Sequence, residues 1–342
     1  MTEQSGTRRW QVVASIALAL ALFVYFLSRV SMAEVLATVA RVRVPWLLAS
    51  VAAALASYVL RALRWGVILR PLGRPPVGDL LGCTAAGFAT SAILPARAGE
   101  VIRPLLLSAR TRLPAAGTIA SILTERLADL AAILVIFGVA VPLARAELAT
   151  GALAPLRDAA MLAAAGLVVA AACVLYALRK RDGAVGLLTR FLPERFKARG
   201  ASFGHHVLDG LEAVRDPGSL VRLALWSFAT WGGSILQVLF LAKAFDVRLG
   251  LAGSAVFMVV SGLGLAVPTP AGVGGFHATI QFALTRLFGV DVATATAFAL
   301  LHHAVCFVPI TVLGLGFIAS VGLTLGRVRT LQEEPPPGEG GS

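Results

Sequence analysis

The sequence LPARAGEVIRP, residues 94–104, places charge and proline between two strongly apolar stretches. The preceding stretch runs from Leu80 to Leu94, and the following one, Thr118 to Val141, itself contains charged residues. An ionised side chain at the centre of a bilayer costs about 2.5–3.5 kcal/mol on insertion scales. Such charges persist only where they pair, face a wet cavity or meet a charged ligand. This segment is therefore the first candidate for a functional site.

The composition indicates a polytopic membrane protein. The 342 residues are 58% hydrophobic and 14% charged, and the mean hydropathy is +0.83, which excludes an ordinary soluble domain. The formal charge of +12 comes largely from Lys and Arg at the ends of apolar runs, as is typical of contact with anionic headgroups. The sequence lacks the interleaved aromatic and basic residues that are typical of nucleic-acid binding, so we expect no nucleic acid as a partner.

Apolar runs predict an all-α protein with about six full spans and two shorter segments. The predicted spans are residues 10–28, 45–65, 116–141, 158–178, 219–245 and 292–326. The shorter segments, 77–94 and 251–267, are rich in Gly and Ser, and each runs into a proline-glycine break. Hydropathy alone would therefore count eight.

The distribution of basic residues predicts that both shorter segments enter the membrane and turn back. Cytoplasmic loops carry the excess of Lys and Arg, and the most basic loop lies at about 179–218. If 77–94 crossed completely, this loop would face outwards; if it turns back at Pro95, the loop stays inside. The same argument applied to 251–287 puts both termini in the cytoplasm. Apolar positions in the basic loop fit either a helix on the inner membrane face or a solvated loop.

Each half then has three crossings and one re-entrant element. An odd number of crossings inverts the second half relative to the first, as in many secondary transporters. We expect one integral-membrane domain over 1–330, with halves of about 1–150 and 151–330. Residues 331–342, rich in Pro and Gly, are expected to form a disordered tail.

Charged residues around the first break form the first part of the candidate binding site. Arg97, Glu100 and Arg103 recur at intervals of three, roughly along one helix face. Glu125 and Asp129 are four residues apart on the following span. Arg97 can pair with Glu100, and Arg103 with Glu125 or Asp129. This network either pins the turn as a buried scaffold or lines a cavity for a phosphate-bearing headgroup, and the two roles can coexist.

Three further arginines lie close to these residues in the sequence. Arg126 points about 100° away from Glu125 on a helix and is included as a headgroup ligand. Arg61 and Arg64 close the second span beside Trp65, which is typical of an interfacial basic-aromatic anchor. The two arginines also share a face and could steer anionic lipid inward.

A second break, VPTPAGVGGFH at residues 267–277, combines two prolines with three glycines. Non-helical backbone at membrane depth survives only inside protein or beside a water-filled cavity, and amides at a helix start favour an anion. Gly272, Gly274, His277 and Gln281 therefore complete the candidate site. The alternative for His277 is a structural histidine bonded to a carbonyl.

No recognisable catalytic or metal motif accompanies these residues. The cysteines, Cys83, Cys173 and Cys306, share no metal spacing, and the adjacent His302 and His303 diverge on a helix. A Ser-His-Asp set, a zinc spacing and a P-loop are absent from the sequence. We expect no enzymatic activity, no cofactor and no metal. A membrane enzyme acting on a polyprenyl phosphate and an accessory lipid-binding protein are the alternatives to a lipid translocase.

Four motifs together resemble the lysylphosphatidylglycerol synthase transmembrane-region family of flippase-like membrane proteins. They are the run at 94–103, the Glu-Arg-x-x-Asp at 125–129, the Arg-x-x-Arg-Trp at 61–65 and the Pro-x-Pro-x-Gly-x-Gly at 268–274. The similarity covers about residues 10–325. The resemblance implies a multi-pass inner (plasma) membrane protein that moves or binds an anionic phospholipid or a polyprenyl-linked lipid.

The resemblance also carries expectations about the headgroup. In the multiple peptide resistance factors, this domain is proposed to flip aminoacylated phosphatidylglycerol and precedes a soluble synthase domain. This chain is expected to be a stand-alone member, since it ends at Ser342, so no aminoacyl transfer is implied. Ala271 and His277 stand where relatives often have a glycine and an acid, which weakens the case for a cationic lysyl headgroup.

Overall fold

The structure is a computed structural model that describes most of the chain. The described residues are 17–28, 30–94, 98–149, 151–190, 193–194, 197, 200–201, 204, 217–266 and 269–322. Arg97, the start of the first predicted span and the predicted tail at 331–342 lie outside these residues.

All secondary structure in the described part of the chain is helical. The helices are α1 (Ala17–Leu27), α2 (Met32–Ala40), α3 (Val44–Ile68), α4 (Val77–Ile93), α5 (Gly99–Thr111), α6 (Ala115–Leu143), α7 (Leu153–Arg179), α8 (Arg181–Thr189), α9 (Pro217–Ala244), α10 (Leu251–Leu263), α11 (Gly275–Phe282) and α12 (Val292–Ser320). Within the described residues, α3, α6, α9 and α12 are long and apolar enough to cross a membrane, and the bent pair α1–α2 makes a fifth if it counts as one span. The prediction of a polytopic helical membrane protein is confirmed.

Helix boundaries follow from local sequence chemistry. Asp291 caps α12, because its side chain accepts a hydrogen bond of 2.8 Å from the amide of Thr294. Pro45 lies in the first turn of α3, and Pro76 and Pro114 stand immediately before α4 and α6. At these positions the missing amide hydrogen costs no helical hydrogen bond.

The first hairpin consists of α4 and α5, which lie antiparallel. At its base, Arg110 Nε near the end of α5 is 2.6 Å from Asp79 Oδ1 in the first turn of α4. Nearer the tip, a β-carbon on Gly99 would lie 1.7 Å from the carbonyl oxygen of Gly87, so glycine is required for this approach. The chain therefore returns to the level at which it entered, as predicted for 77–94.

The second hairpin consists of α10 and α11, joined by a tip whose described residues are 264–266 and 269–274. At its base, the amide of Gly250 donates a 2.6 Å hydrogen bond to Glu147 Oε2. The carbonyl oxygen of Leu287, just after α11, accepts a 2.7 Å hydrogen bond from the amide of Ala149. Both ends of the hairpin thus meet the turn that follows α6, and this segment also returns to its own level.

The two hairpins enter the protein from opposite ends. Helix α6 begins at the base of the first hairpin and ends at the turn that holds the base of the second. Its 29 residues extend about 43 Å, more than the ~30 Å of a hydrocarbon core. Helix α12 runs back the other way. Near the end of α12, the ring centre of Phe317 lies 5.4 Å from the guanidinium carbon of Arg110, at the base of the first hairpin.

The two halves contain the same order of elements, and the short apolar helix of each half packs on the second long helix of the other. A long helix, a short apolar helix, a break, a helix and a second long helix occur in this order in α3–α6 and again in α9–α12. Helix α3 packs along α9, α4 packs along α12, and α10 packs on α6. With hairpins of opposite direction, these contacts are the geometry of an inverted repeat. Three full crossings in each half stay a prediction, since four or five helices of the described chain qualify as spans.

The basic segment between α7 and α9 is helical where it is described. It contains α8, in which Val185 is buried. Most of residues 191–216 lie outside the described part of the chain. The helix at 181–189 agrees with the helical interpretation of this loop. Its position on the inner membrane face stays a prediction.

We expect Gly99→Ala to lower the unfolding temperature of the detergent-solubilised protein. The added methyl group must push α4 and α5 apart, and overpacking of this kind typically costs about 1–3 kcal/mol. Gly138→Ala in α6 is the matched control, since a β-carbon there meets nothing within 4 Å and alanine favours the helix. Equal unfolding temperatures for the two variants would show that this glycine contact does not close the first hairpin.

Candidate functional site

Six charged residues from three helices meet inside the bundle. Helix α3 contributes two arginines, α5 contributes one arginine, and α6 contributes two acids and an arginine. We call them the charged cluster: Arg61, Arg64, Arg103, Glu125, Arg126 and Asp129. The convergence follows from helical spacing, because residues three or four apart share a face.

Glu125 is the centre of the charged cluster. Its side chain is fully buried and forms ion pairs with all four arginines. The nitrogen-to-oxygen distances are 3.0 Å to Arg103, 3.3 Å to Arg64, 3.5 Å to Arg61 and 3.7 Å to Arg126. One carboxylate therefore ties α3, α5 and α6 together.

Asp129, one turn further along α6, links the cluster to the second half of the chain. It lies 2.7 Å from Arg64 Nη1 and 3.1 Å from Arg61 Nη1. Its Oδ1 also accepts a 3.0 Å hydrogen bond from the indole nitrogen of Trp231 on α9. Ser227, four residues earlier on α9, accepts a 3.1 Å hydrogen bond from Arg64.

The charged cluster contains four arginines and two carboxylates, an excess of two positive charges. Most of this charge is buried: the side chains of Arg64 and Arg103 are 0% and 5% exposed. Arg61 is 11% exposed and Arg126 is 43% exposed. Burying an ion costs several kcal/mol even after relaxation unless it is compensated. An anionic ligand that entered beside Arg126 would balance the excess.

Arg103 presents one unused edge of its guanidinium group. Its Nη1 donates to Glu125, and its guanidinium carbon lies 3.9 Å from the ring centre of Trp65. Trp65 is itself fixed by a 2.9 Å hydrogen bond from its indole nitrogen to Ser121. Within the described residues, Arg103 Nε and Nη2 have no hydrogen-bond partner. This edge suits two oxygens of a phosphate or carboxylate.

The charged cluster lies well inside α6 and away from its ends. Glu125 is ten residues after Ala115, the first of the 29 residues of α6, which corresponds to about 15 Å along a helix of about 43 Å. A ligand reaching Glu125 from either end of α6 would therefore travel well into the bundle.

Two apolar grooves flank α3 next to the charged cluster. One, of about 510 Å³, lies between α3 and α9 and includes Leu60, the neighbour of Arg61. The other, of about 320 Å³, lies between α3, α4 and α12 and includes Tyr58. Tyr58 packs against Phe88, whose ring centre is 5.8 Å from the guanidinium carbon of Arg61. Hydrocarbon surface therefore continues up to the charged groups.

The residues predicted at the second break form a separate group. Gly272 and Gly274 have φ angles of 72° and 85°, which glycine adopts without strain. A β-carbon on Gly274 would lie 2.6 Å from Leu22 Cβ of α1. His277 is 3% exposed, and Gln281 donates a 2.7 Å hydrogen bond to Thr296 on α12. No contact found among the described residues joins this group to the charged cluster.

The predicted pairing of Arg103 with Glu125 is present in the structure, and Asp129 lies beside it. Arg126 reaches back to Asp129 at 3.6 Å despite pointing away from Glu125 by helical phase. Glu100, in the first turn of α5, is partly buried. Its predicted partner, Arg97, lies outside the described residues.

The interpretation of Arg61 and Arg64 as an interfacial anchor is corrected by the structure. Both reach the acids of α6, and Arg64 is among the largest fully buried side chains. Trp231 was not singled out from the sequence at all. The available signal was the spacing of Arg61 and Arg64, which share a helix face and need an acidic partner if buried.

No group of three or more His, Cys, Asp or Glu side chains able to hold a metal ion occurs in the part of the chain that the structure describes. Comparison with protein families gives one match over most of the chain. A family model described as the lysylphosphatidylglycerol synthase TM region matches residues 12–314. Comparison with curated proteins finds no match.

We expect Glu125→Gln to destabilise the protein far more than Arg126→Gln. The first change raises the positive excess of the cluster from two charges to three; breaking a buried pair in this way typically costs about 3–5 kcal/mol. The second lowers the excess and removes a half-exposed side chain. Thermal unfolding of both purified variants in one detergent measures the difference. Similar decreases in unfolding temperature for the two variants, or a larger decrease for Arg126→Gln, would contradict the conclusion that excess positive charge destabilises the cluster.

Proposed function

The chain belongs to the lysylphosphatidylglycerol synthase TM region family, and on this premise we propose that it is a lipid translocase. The family and the apolar helices make it a multi-pass membrane protein related to lipids. In our proposal, the charged cluster binds a phosphate-bearing, anionic headgroup. The acyl or prenyl chains stay in the bilayer, along the apolar grooves beside α3.

The observation that carries this proposal is the excess of two positive charges within the charged cluster. A purely structural network would favour equal numbers of opposite charges, because every uncompensated buried ion is costly. A phosphate group supplies the missing negative charge and matches the planar fork of arginine. The half-exposed Arg126 is the natural first contact, and the unused edge of Arg103 is a second contact deeper in the site.

Translocation, rather than binding alone, is supported by the two opposed hairpins. They start from opposite ends of α6 and extend into the same bundle. Inverted repeats of this kind allow a central site to open to either side by related movements of the two halves. Trp231 and Ser227 on α9 contact the cluster, so both halves hold the same site.

A membrane enzyme is less well supported by the same contacts. Each oxygen of Glu125 and Asp129 accepts a hydrogen bond from an arginine side chain. These are the carboxylates that a Mg²⁺-dependent transferase would need as ligands. We therefore propose no catalytic role, cofactor or metal for this chain. An accessory lipid-binding protein remains the second candidate, and the transport assay below separates it from a translocase.

The charge distribution supports a plasma-membrane protein with both termini in the cytoplasm. The end that holds the first hairpin base carries Arg70, Arg74, Arg110 and Arg112, and basic loops face the cytoplasm. At the opposite end, basic residues are accompanied by acids, as in the 2.9 Å ion pair of Arg43 with Asp246. The first hairpin would then enter from the cytoplasm and the second from outside.

Transport is tested in proteoliposomes that contain phosphatidylglycerol labelled on its acyl chain, which leaves the headgroup intact. We expect the wild-type protein to expose the label to an impermeant quencher. Arg126→Gln should slow this step about ten- to hundredfold, because a hydrogen bond to a charged group contributes roughly 1.5–3 kcal/mol.

The matched control is Arg110→Gln, an arginine of similar exposure at the hairpin base, 36% against 43%. Its transport rate should stay near that of wild type. If Arg126→Gln and Arg103→Gln both transport at the wild-type rate, the cluster is not the headgroup site. Retention of lipid without any transport would instead favour the accessory lipid-binding protein.

The positive excess also predicts headgroup selectivity. Protein purified in mild detergent should retain phosphatidic acid and phosphatidylglycerol in preference to phosphatidylcholine, and lysylphosphatidylglycerol least, because its added amino groups are repelled by the arginines. Native mass spectrometry of equimolar lipid mixtures measures this order. Equal retention of the lysyl lipid and its parent would contradict an anion-selective site.

A further inference from the structure

Two histidines from different helices meet beneath the tip of the second hairpin. His277 lies in the first turn of α11 and His303 in the middle of α12. Their ring centres are 4.6 Å apart, and the ring planes are inclined by 32°. The two rings are therefore close neighbours, tilted relative to each other. This pair is separate from the charged cluster and plays no part in the proposed headgroup site.

His303 holds the tip in place through the backbone. Its Nε2 lies 3.0 Å from the carbonyl oxygen of Ala271, the distance of a hydrogen bond. Ala271 has a φ of 51°, a left-handed conformation that costs a residue with a β-carbon of order 1 kcal/mol or more. The histidine contact thus offsets strain in the tip. A neutral His303 must carry its proton on Nε2 to make this bond.

The surroundings of the pair are apolar and aromatic. Phe23 and Phe26 of α1 both lie 5.3 Å from His277, measured between ring centres. Phe307 stacks on His303 at 4.5 Å. His277 is 3% exposed, and its Nδ1 has no hydrogen-bond partner within the described residues. His303 is only partly buried, which gives a proton a path to the pair.

The titratable groups facing the pair are few. On α12, His302 points about 100° away from His303 and packs against Phe276 and Phe298. On α3, Tyr58 donates a 2.8 Å hydrogen bond to the carbonyl oxygen of Cys306 on α12. The ring contacts of the pair from α1 and α11 are with Phe23, Phe26 and Phe276. Among the described residues, no carboxylate pairs with either imidazole.

The surroundings favour the neutral form of the pair, although a protonated His303 would keep its Nε2–H bond to the carbonyl oxygen of Ala271. An imidazolium sealed among rings without an acid loses its hydration and gains no counter-charge. Two imidazolium groups at this distance would in addition repel each other strongly. Moving the tip away from His303 would let water reach both rings. The closed tip therefore disfavours protonation of the pair, and an open tip would favour it.

We propose that His277 and His303 form a proton-binding site that keeps the tip of the second hairpin closed while both rings are neutral and releases it when they are protonated. By linkage, the stability of the closed tip is fully present at high pH and is lost as the pH falls. Movement of the tip would then take up protons on opening and release them on closing. Such a site would let a proton gradient drive the opening and closing of the hairpin tip.

A spin label on Val273→Cys, two residues after Ala271, reports on the tip in the full-length protein. Cys83, Cys173 and Cys306 are replaced by alanine or serine, and the protein is embedded in lipid nanodiscs. The ratio of mobile to immobile label should rise as the pH is lowered from about 7.5 to about 4.5, the acid side of the ordinary imidazole pKa of 6.5. A change of more than about tenfold per pH unit would report uptake of two protons.

His303→Gln keeps an N–H donor for Ala271 but takes up no proton, and His277→Gln removes the second site. Each variant should show a weaker pH response than the parent, and the double variant none. His302→Gln is the matched control, a buried histidine of α12 that makes no contact with the carbonyl oxygen of Ala271 among the described residues, and should keep the response. A flat response in the parent, a persistent one in the double variant, or a loss in His302→Gln alone would overturn the proposal. If His303→Gln does not fold, His277→Gln decides the outcome.

Discussion

The buried carboxylate of Glu125, shared by four arginines, is the contact on which the interior of this protein depends. It joins α3, α5 and α6 inside the bundle. Asp129 extends the same network to α9 in the second half of the chain. Because this cluster holds more positive than negative charge, its burial is costly and depends on tight ion-pair geometry, and the proposed anionic headgroup would supply the missing counter-charge. Architecture and proposed function thus have one physical origin.

The hairpins show how such a cluster can be built inside a membrane. A helix that crosses completely passes the centre once, whereas a re-entrant hairpin places its tip and both arms inside the bundle. The first hairpin closes through the Gly87–Gly99 contact, and this brings Arg103 down to Glu125. The second hairpin carries a strained, glycine-containing tip that rests on His303 and against α1. The first hairpin therefore brings a charged residue to the cluster, and the second brings a backbone carbonyl to a histidine. In the sequence, the two breaks look like similar interruptions of apolar helix.

Much of the fold was predictable because the bilayer imposes simple rules. Helix length, the position of proline and the placement of Lys and Arg identified the spans and the return of both short segments. The pair Arg103–Glu125 was predictable for the same reason, since a buried charge needs a partner nearby. The role of Arg61 and Arg64 was not recognised. In sequence, two arginines beside a tryptophan at the end of a span look the same whether they face the interface or the interior.

The sequence by itself determined the polytopic helical class, the two breaks and the acidic face of α6, because these depend on composition, helical period and the cost of charge in hydrocarbon. Only the tertiary structure decided which arginines reach that face, how α9 completes the site through Trp231, and that His277 meets His303 across two helices. These contacts join residues far apart in the chain. Their partners are set by which helix faces pack together, and many side chains of similar hydropathy could have occupied the same faces.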